Sequence, residues 1–281
     1  MLSADSCKVS ARICRRRWDL RSIERFVASA QGAFPAERHQ LAMALLSNQT
    51  ILVTGAGGGV GEAVVRALGA QGATVCLLGR NQLNLAKIAR RVPEKHGRCY
   101  SADLTVTDEL QSAVSKILAE NPGVDALIHC AAIFEMGPLA TASAADFDRQ
   151  FKTNVLGPVR LTQLLLPALI SSQGQVVFIN SSLGLKARAG VSQYAATKHA
   201  LKAVADSLRD ECNASGVRVC SLYLGATATP MQAAIRAKQF REYKPQRLLQ
   251  PDDVASLVIS VLALPRTAEV TDIMVRPMIK T

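Results

Sequence analysis

Ser181, Tyr194 and Lys198 stand thirteen and then four positions apart in the run SSLGLKARAGVSQYAATK. A hydroxyl, a phenol and an ammonium are the groups needed to hold a carbonyl oxygen, exchange a proton with it and tune that exchange. Tyr194 and Lys198 lie in a segment without helix breakers, so they share one helix face. A phenol titrates near about 10, and bringing it to neutrality takes about 4 kcal/mol. One ammonium about 5 Å away, at an effective dielectric near about 20, supplies about 3 kcal/mol. Ser181 follows the apolar run 175–180, and ligands of open α/β sheets bind beyond the C-terminal ends of the strands. Asn154, in FKTNVLG, is polar among apolar neighbours. It reads either as a satisfied amide at a helix kink or as a bridge to Lys198 through water.

A second motif, TGAGGGVG, occupies 54–61 directly after an apolar run. Gly55 permits a sharp exit from a strand, Gly59 lets the backbone approach a pyrophosphate, and Gly61 lets the next helix pack closely on the sheet. The unpaired N–H groups at that helix's start then face the phosphates. The expected ligand is a dinucleotide. Where an acid would take the ribose 2′-hydroxyl of NAD, the sequence reads LLGRN. Arg80 stands there instead, able to pair with a 2′-phosphate, and no neighbouring carboxylate in that run would repel it. The prediction is NADP as cofactor, with NADPH preferred over NADH. Asp103 and Leu104 suit the adenine ring, whose amino group needs an acceptor. An oxidised nicotinamide beside Tyr194 would supply the remaining stabilisation of its phenolate.

These residues need a sheet to position them. Apolar runs at 51–54, 74–78, 99–102, 126–129, 175–180, 217–223 and 272–275 alternate with helical patterns at 62–71, 84–91, 107–120, 144–170, 194–214 and 251–264. Runs apolar at every position, rather than every second one, mark strands covered on both faces. The expectation is an α/β fold, a doubly wound, parallel seven-stranded, Rossmann-like sheet in a single catalytic domain over 49–281. The segment 231–250 breaks the rhythm and reads as a mobile lid. Residues 1–48 form a basic N-terminal extension, read as disordered or as lying upstream of a true start at Met43. A docking extension and a targeting peptide are the other readings, and Asp5, Asp19, Glu24 and Glu37 count against the latter.

The 281 residues carry 33 Lys+Arg against 22 Asp+Glu, a net charge of +11. Such a balance attracts anionic partners, but no aromatic-interleaved basic cluster accompanies it, so no nucleic-acid partner is expected. The seven cysteines are odd in number and unpaired in spacing, which suggests reduced thiols and a cytoplasmic location. His96 and Cys99 make a lone H-x-x-C, so no metal is expected. No apolar run reaches the roughly 18 residues of a membrane span. The substrate side draws on 134–138, 183–190, Gln193 and 231–250, and Lys186, Arg188, Arg236, Lys238, Arg241, Lys244 and Arg247 make it basic. That charge reads either as a solvated surface or as a site for an anionic small-molecule substrate such as a 3-oxoacyl thioester.

Over about 50–277 the sequence resembles the short-chain dehydrogenase/reductase family. The family's T-G-x-x-x-G-x-G is met by Thr54, Gly55, Gly59 and Gly61, and its Asn-Ser-Tyr-Lys tetrad by Asn154, Ser181, Tyr194 and Lys198. The resemblance implies an oxidoreductase interconverting a carbonyl and an alcohol by hydride transfer. Tyr194 would be acid or base, Ser181 would polarise the oxygen, Lys198 would grip the nicotinamide ribose, and Asn154 would support a proton relay. Further cofactor contacts are expected from Gly57, Val60, Ala131, Gly225 and Thr229. A homodimer or homotetramer built on the helices of Asn154 and Tyr194 is also implied. Two departures stand out: His129-Cys130-Ala131-Ala132 replaces N-N-A-G, and Leu224-Gly225 replaces P-G. His129 reads as structural, and loss of the proline is expected to loosen its turn. The competing class is a dinucleotide-binding sensor or scaffold without turnover, because a fold alone does not fix function.

Overall fold

The apolar runs become seven strands in the computed structural model, which describes residues 45–93 and 96–279. They are β1 (Thr50–Thr54), β2 (Thr74–Gly79), β3 (Gly97–Ser101), β4 (Ala126–His129), β5 (Gln175–Ser181), β6 (Arg218–Leu224) and β7 (Asp272–Val275). Their order is β3-β2-β1-β4-β5-β6-β7, with every pairing parallel. The chain winds outward from β1 to β3 and then in the opposite direction from β4 to β7. Between β1 and β4 the connections diverge, and a crevice opens at the strand ends.

Among the described residues eight α-helices accompany the sheet: α1 (Gly59–Ala70), α2 (Gln82–Ala89), α3 (Thr107–Glu120), α4 (Ala144–Phe151), α5 (Gly157–Ser171), α6 (Ser192–Cys212), α7 (Pro230–Lys238) and α8 (Pro251–Leu262). Successive strand side chains point to opposite faces, so strands apolar throughout feed two cores. Ile51, Val53, Val75 and Leu77 pack with Val64 and Leu68 of α1, Leu85 of α2 and Val254 and Val258 of α8. Leu52, Cys76, Leu78 and Phe178 face Leu110 and Ile117 of α3, Leu161 and Leu165 of α5, and Leu201 and Ala205 of α6. Each fully buried aliphatic side chain contributes about 1.5–3 kcal/mol.

Several boundaries differ from the sequence expectation. The stretch 144–170 is helical throughout but not α-helical throughout. A π-helical turn, Lys152–Leu156, separates α4 from α5, and the Gly157 N–H donates to the Lys152 carbonyl. Pro158 has no N–H to give the Asn154 carbonyl, so the chain takes the wider i→i+5 turn there. Helix α2 starts at Gln82 because the Asn81 side chain accepts from the Asn84 N–H. Strand β3 starts at Gly97, set by pairing with Val75 rather than by apolarity. The 231–250 segment holds α7, the 3₁₀ turn Pro245–Arg247 and a parallel bridge between Thr227 and Leu249.

The first core includes a residue upstream of position 49. Leu46 is fully buried within the first core, and its N–H donates to the Gln71 carbonyl. The rest of the proposed extension, 1–44 with Met43, Cys7 and Cys14, lies outside the described residues. Among the described residues no helix is long and apolar enough to cross a membrane, and no group of three His, Cys, Asp or Glu is placed to hold a metal.

Candidate active site

A crevice of about 720 Å³ opens above the ends of β1, β2, β4, β5 and β6. The glycine turn forms one wall. Gly55 has φ +63, and a Cβ there would stand 2.7 Å from the Ala131 nitrogen, so only glycine lets the exits of β1 and β4 cross. Thr54 Oγ1 clamps that crossing by accepting from the N–H groups of Cys130 and Ala131, at 3.1 and 3.2 Å. A Cβ on Gly58 would meet nothing within 4 Å, and no side chain caps the start of α1. That leaves room and free N–H groups for a diphosphate at the head of a twelve-residue helix. Gly57, Gly59, Val60 and Gly61 line the same wall, as does Thr229, against which Gly59 rests.

Arg80 and Asp103 meet at the far end, 3.8 Å apart. The carboxylate missing from the β2 run is therefore supplied across the sheet edge, after β3. Burial pushes the Asp103 carboxyl up, but the Thr105 N–H and hydroxyl and then Arg80 hold it below its ordinary value. Arg80 keeps 72% of its side chain exposed, so its guanidinium remains open to a second anion. Leu104 lines the crevice from beneath and packs on Gly157.

At the other end α6 and β5 bring Tyr194, Lys198 and Ser181 onto one stretch of wall. Phe134 packs tilted on the Tyr194 ring, with centroids 4.7 Å apart. Lys198 Nζ sits 5.7 Å from that ring's centroid and donates to the Ile179 carbonyl at 3.0 Å. Burial lowers the ammonium's pKa to about 8. Burial also raises the Tyr194 phenol above its ordinary value, against the pull of Ser181. This departs from the electrostatic expectation: desolvation outweighs the Ser181 hydrogen bond, and the side chains alone do not bring the phenol to neutrality. Ser181 Oγ accepts from the Leu183 N–H at 3.2 Å, and its hydroxyl lies within hydrogen-bonding reach of the Tyr194 phenol.

Asn154 does not reach the crevice. It is fully buried in the π turn, accepting from the Ile133 N–H at 2.8 Å and donating to the Ile133 carbonyl at 2.9 Å and to Thr197 Oγ1 at 3.1 Å. These bonds satisfy its side-chain amide and hold the segment after β4 against α6. Two further amides escaped the sequence reading. Asn180 accepts from the Ser181 N–H and donates to the Lys198 carbonyl. Gln150 accepts from the Glu135 N–H. Their only sequence signal was polarity at positions due to be buried.

The sequence profile described as short chain dehydrogenase matches residues 49–239. The chain belongs to the short-chain dehydrogenase family. It is accordingly an NAD(P)-dependent oxidoreductase. The uncharacterized oxidoreductase YciK of Escherichia coli (strain K12) is 35% identical over 222 residues, covering 76% of this chain and 86% of that protein. An uncharacterized oxidoreductase of Staphylococcus aureus (strain USA300) is 29% identical over 238 residues, 84% of this chain and all of its own. Among solved structures, a short chain dehydrogenase of Shigella flexneri 2a complexed with NADP superposes with TM-score 0.75 at 30% identity, covering 82% of this chain and 98% of that one. One from Escherichia coli CFT073 complexed with NADPH gives 0.74 at 32% identity, with the same coverage.

The two departures from the dehydrogenase pattern have structural answers. His129, at the end of β4, stacks on Phe178 at 4.9 Å and shares a hydrogen bond with Thr162 Oγ1 at 2.9 Å. Burial, and secondarily the charge of Lys198, drop its pKa to about 3, so it is neutral. Gly225 is held without the proline: its N–H donates to the Val275 carbonyl, and its own carbonyl accepts from Thr227 Oγ1. The expected loosening is thereby opposed. Gly225 also packs against Pro277, where a Cβ would stand 2.9 Å away.

Proposed function

We propose that this dehydrogenase is an NADPH-dependent carbonyl reductase in which Tyr194 is the acid. The observation that carries the reading is the shared crevice: Tyr194, Ser181 and Lys198 open onto the same space as the glycine turn and Arg80. The NADP- and NADPH-bound relatives support the cofactor. The α1 N-terminus and the turn Gly55–Gly61 would hold the pyrophosphate, Arg80 the 2′-phosphate and Asp103 the adenine. Lys198 would hold the nicotinamide ribose, with Gly225 and Thr229 at the carboxamide. When bound, the reduced nicotinamide supplies a hydride to the carbonyl carbon. Ser181 donates a hydrogen bond to the carbonyl oxygen, and Tyr194 gives that oxygen its phenolic proton, so the product is the alcohol. A phenol raised by burial is fully protonated at neutral pH, the state an acid needs for reduction.

The direct test is a panel of ketones and aldehydes followed by NADPH absorbance, with cofactor Kd values measured alongside. The reading expects turnover of at least one compound and about tenfold or greater preference for NADPH, the scale of one charge-assisted contact. A tenfold preference for NADH would overturn the role of Arg80.

A further inference from the structure

We infer that the substrate carries an anionic group, carboxylate or phosphate, which Arg236 and Arg241 bind at the mouth of the crevice; this rests on the carbonyl-reductase reading above. The crevice is lined by five arginines, Arg80, Arg188, Arg236, Arg241 and Arg276, and by a single carboxylate, Asp103. Asp103 is engaged with Arg80. None of the other four makes an ion pair or a side-chain hydrogen bond among the described residues.

The charges around α7 explain why two of them are left over. The segment 231–250 holds five cationic side chains and one acid, Glu242. Lys244 takes Glu242 at 2.8 Å. Lys238 reaches Glu135 at 2.7 Å, and Arg149 occupies the other oxygen of that carboxylate at 3.3 Å. Glu242 and Glu135 are thus spent on lysines and on Arg149, while the two guanidiniums that line the crevice have no ion pair among the described residues. Arg236 sits in the last turn of α7, where a cation is favoured by about 0.3–1 kcal/mol. Arg241 and Arg188 lie outside any α-helix, so that explanation does not extend to them. Guanidinium groups are the side chains best shaped for two-point binding of carboxylate or phosphate. Phe134, Leu183, Met231 and Ile235 line the same space. The lining therefore fits an amphiphilic oxo compound, its carbon chain among these apolar groups and its anion at the arginines.

The test compares NADPH oxidation by the full chain on three compounds: a medium-chain oxo-carboxylate, the matching oxoalkyl phosphate and the uncharged methyl ester. The inference expects kcat/KM for at least one anion to exceed that of the ester by about tenfold or more. The better anion tells a carboxylate site from a phosphate site. In the double variant Arg236→Gln/Arg241→Gln the anion-to-ester ratio should fall toward one through a rise in KM, with the NADPH Kd within about twofold of wild type. An ester reduced as well as both anions would overturn the inference and leave the reductase reading standing. So would a double variant that loses NADPH affinity as strongly as anion affinity, since the arginines would then belong to the cofactor's phosphates. Absence of NADPH oxidation with all three compounds would overturn the reductase reading and this inference with it.

Discussion

Tyr194 is under two opposing influences, burial that raises its pKa and the Ser181 hydroxyl that lowers it. Burial prevails, and this fixes a direction. Reduction uses the protonated phenol and should be insensitive to pH across the neutral range. Alcohol oxidation needs the phenolate, so its rate should climb as pH rises from about 7 to about 10. Initial rates in both directions check this, and an oxidation rate independent of pH would contradict it. Asn154 belongs to the same scale. Asn154→Ala would strip the Ile133 N–H and carbonyl of their side-chain partner, while Thr197 Oγ1 keeps its bond to the Tyr194 carbonyl, at a cost of about 1–3 kcal/mol. Thermal unfolding should show a Tm lower by several degrees, and an unchanged Tm would remove the positioning role.

The π turn between α4 and α5 shows where local pattern stops being informative. Continuous apolar runs made six strands legible to within a residue, because burial on both faces leaves a local signature. The Pro158-induced register change did not show, since hydrophobic period alone cannot tell 3.6 residues per turn from one wide turn. The side chains that meet in the crevice were legible from type and spacing. The Asn180–Lys198, Gln150–Glu135 and Arg80–Asp103 contacts were not, because in each the two residues lie on different segments. Gly157 follows the turn, and a Cβ there would come 2.9 Å from Leu104 Cβ. Gly157→Ala should cost about 1–3 kcal/mol by overpacking, measurable in a urea titration.

His129 gives the β4 end a pH sensitivity. Its folded pKa of about 3 lies below the ordinary 6.5, so the unfolded chain binds the proton first. Its contribution is complete above about pH 6.5 and drains away as pH falls toward about 3. In His129→Asn the decline of Tm over that window should be shallower than in wild type; parallel declines would show that another group controls it.

At the scale of the whole molecule, the chain's net charge of +11 goes with a crevice lined by four arginines that have no acid partner among the described residues. Long-range attraction of an anionic substrate should be screened by salt, with a Debye length near about 3 Å at 1 M against about 10 Å at 0.1 M. For an anionic oxo compound kcat/KM should therefore fall steeply with ionic strength, while that of an uncharged ester stays nearly flat. Equal profiles would confine the charge to a solvated surface. Sequence showed the excess of charge but not its arrangement, since pairing depends on which acids fold beside which bases.

The claim on which the account turns is proton transfer from the Tyr194 phenol. Single-turnover reduction of a carbonyl substrate, with wild type and Tyr194→Phe both saturated with NADPH, tests it directly. The predicted result is a rate at least about a hundredfold lower in the variant, with NADPH still binding within about threefold of wild type. Equal rates in the two proteins would contradict it.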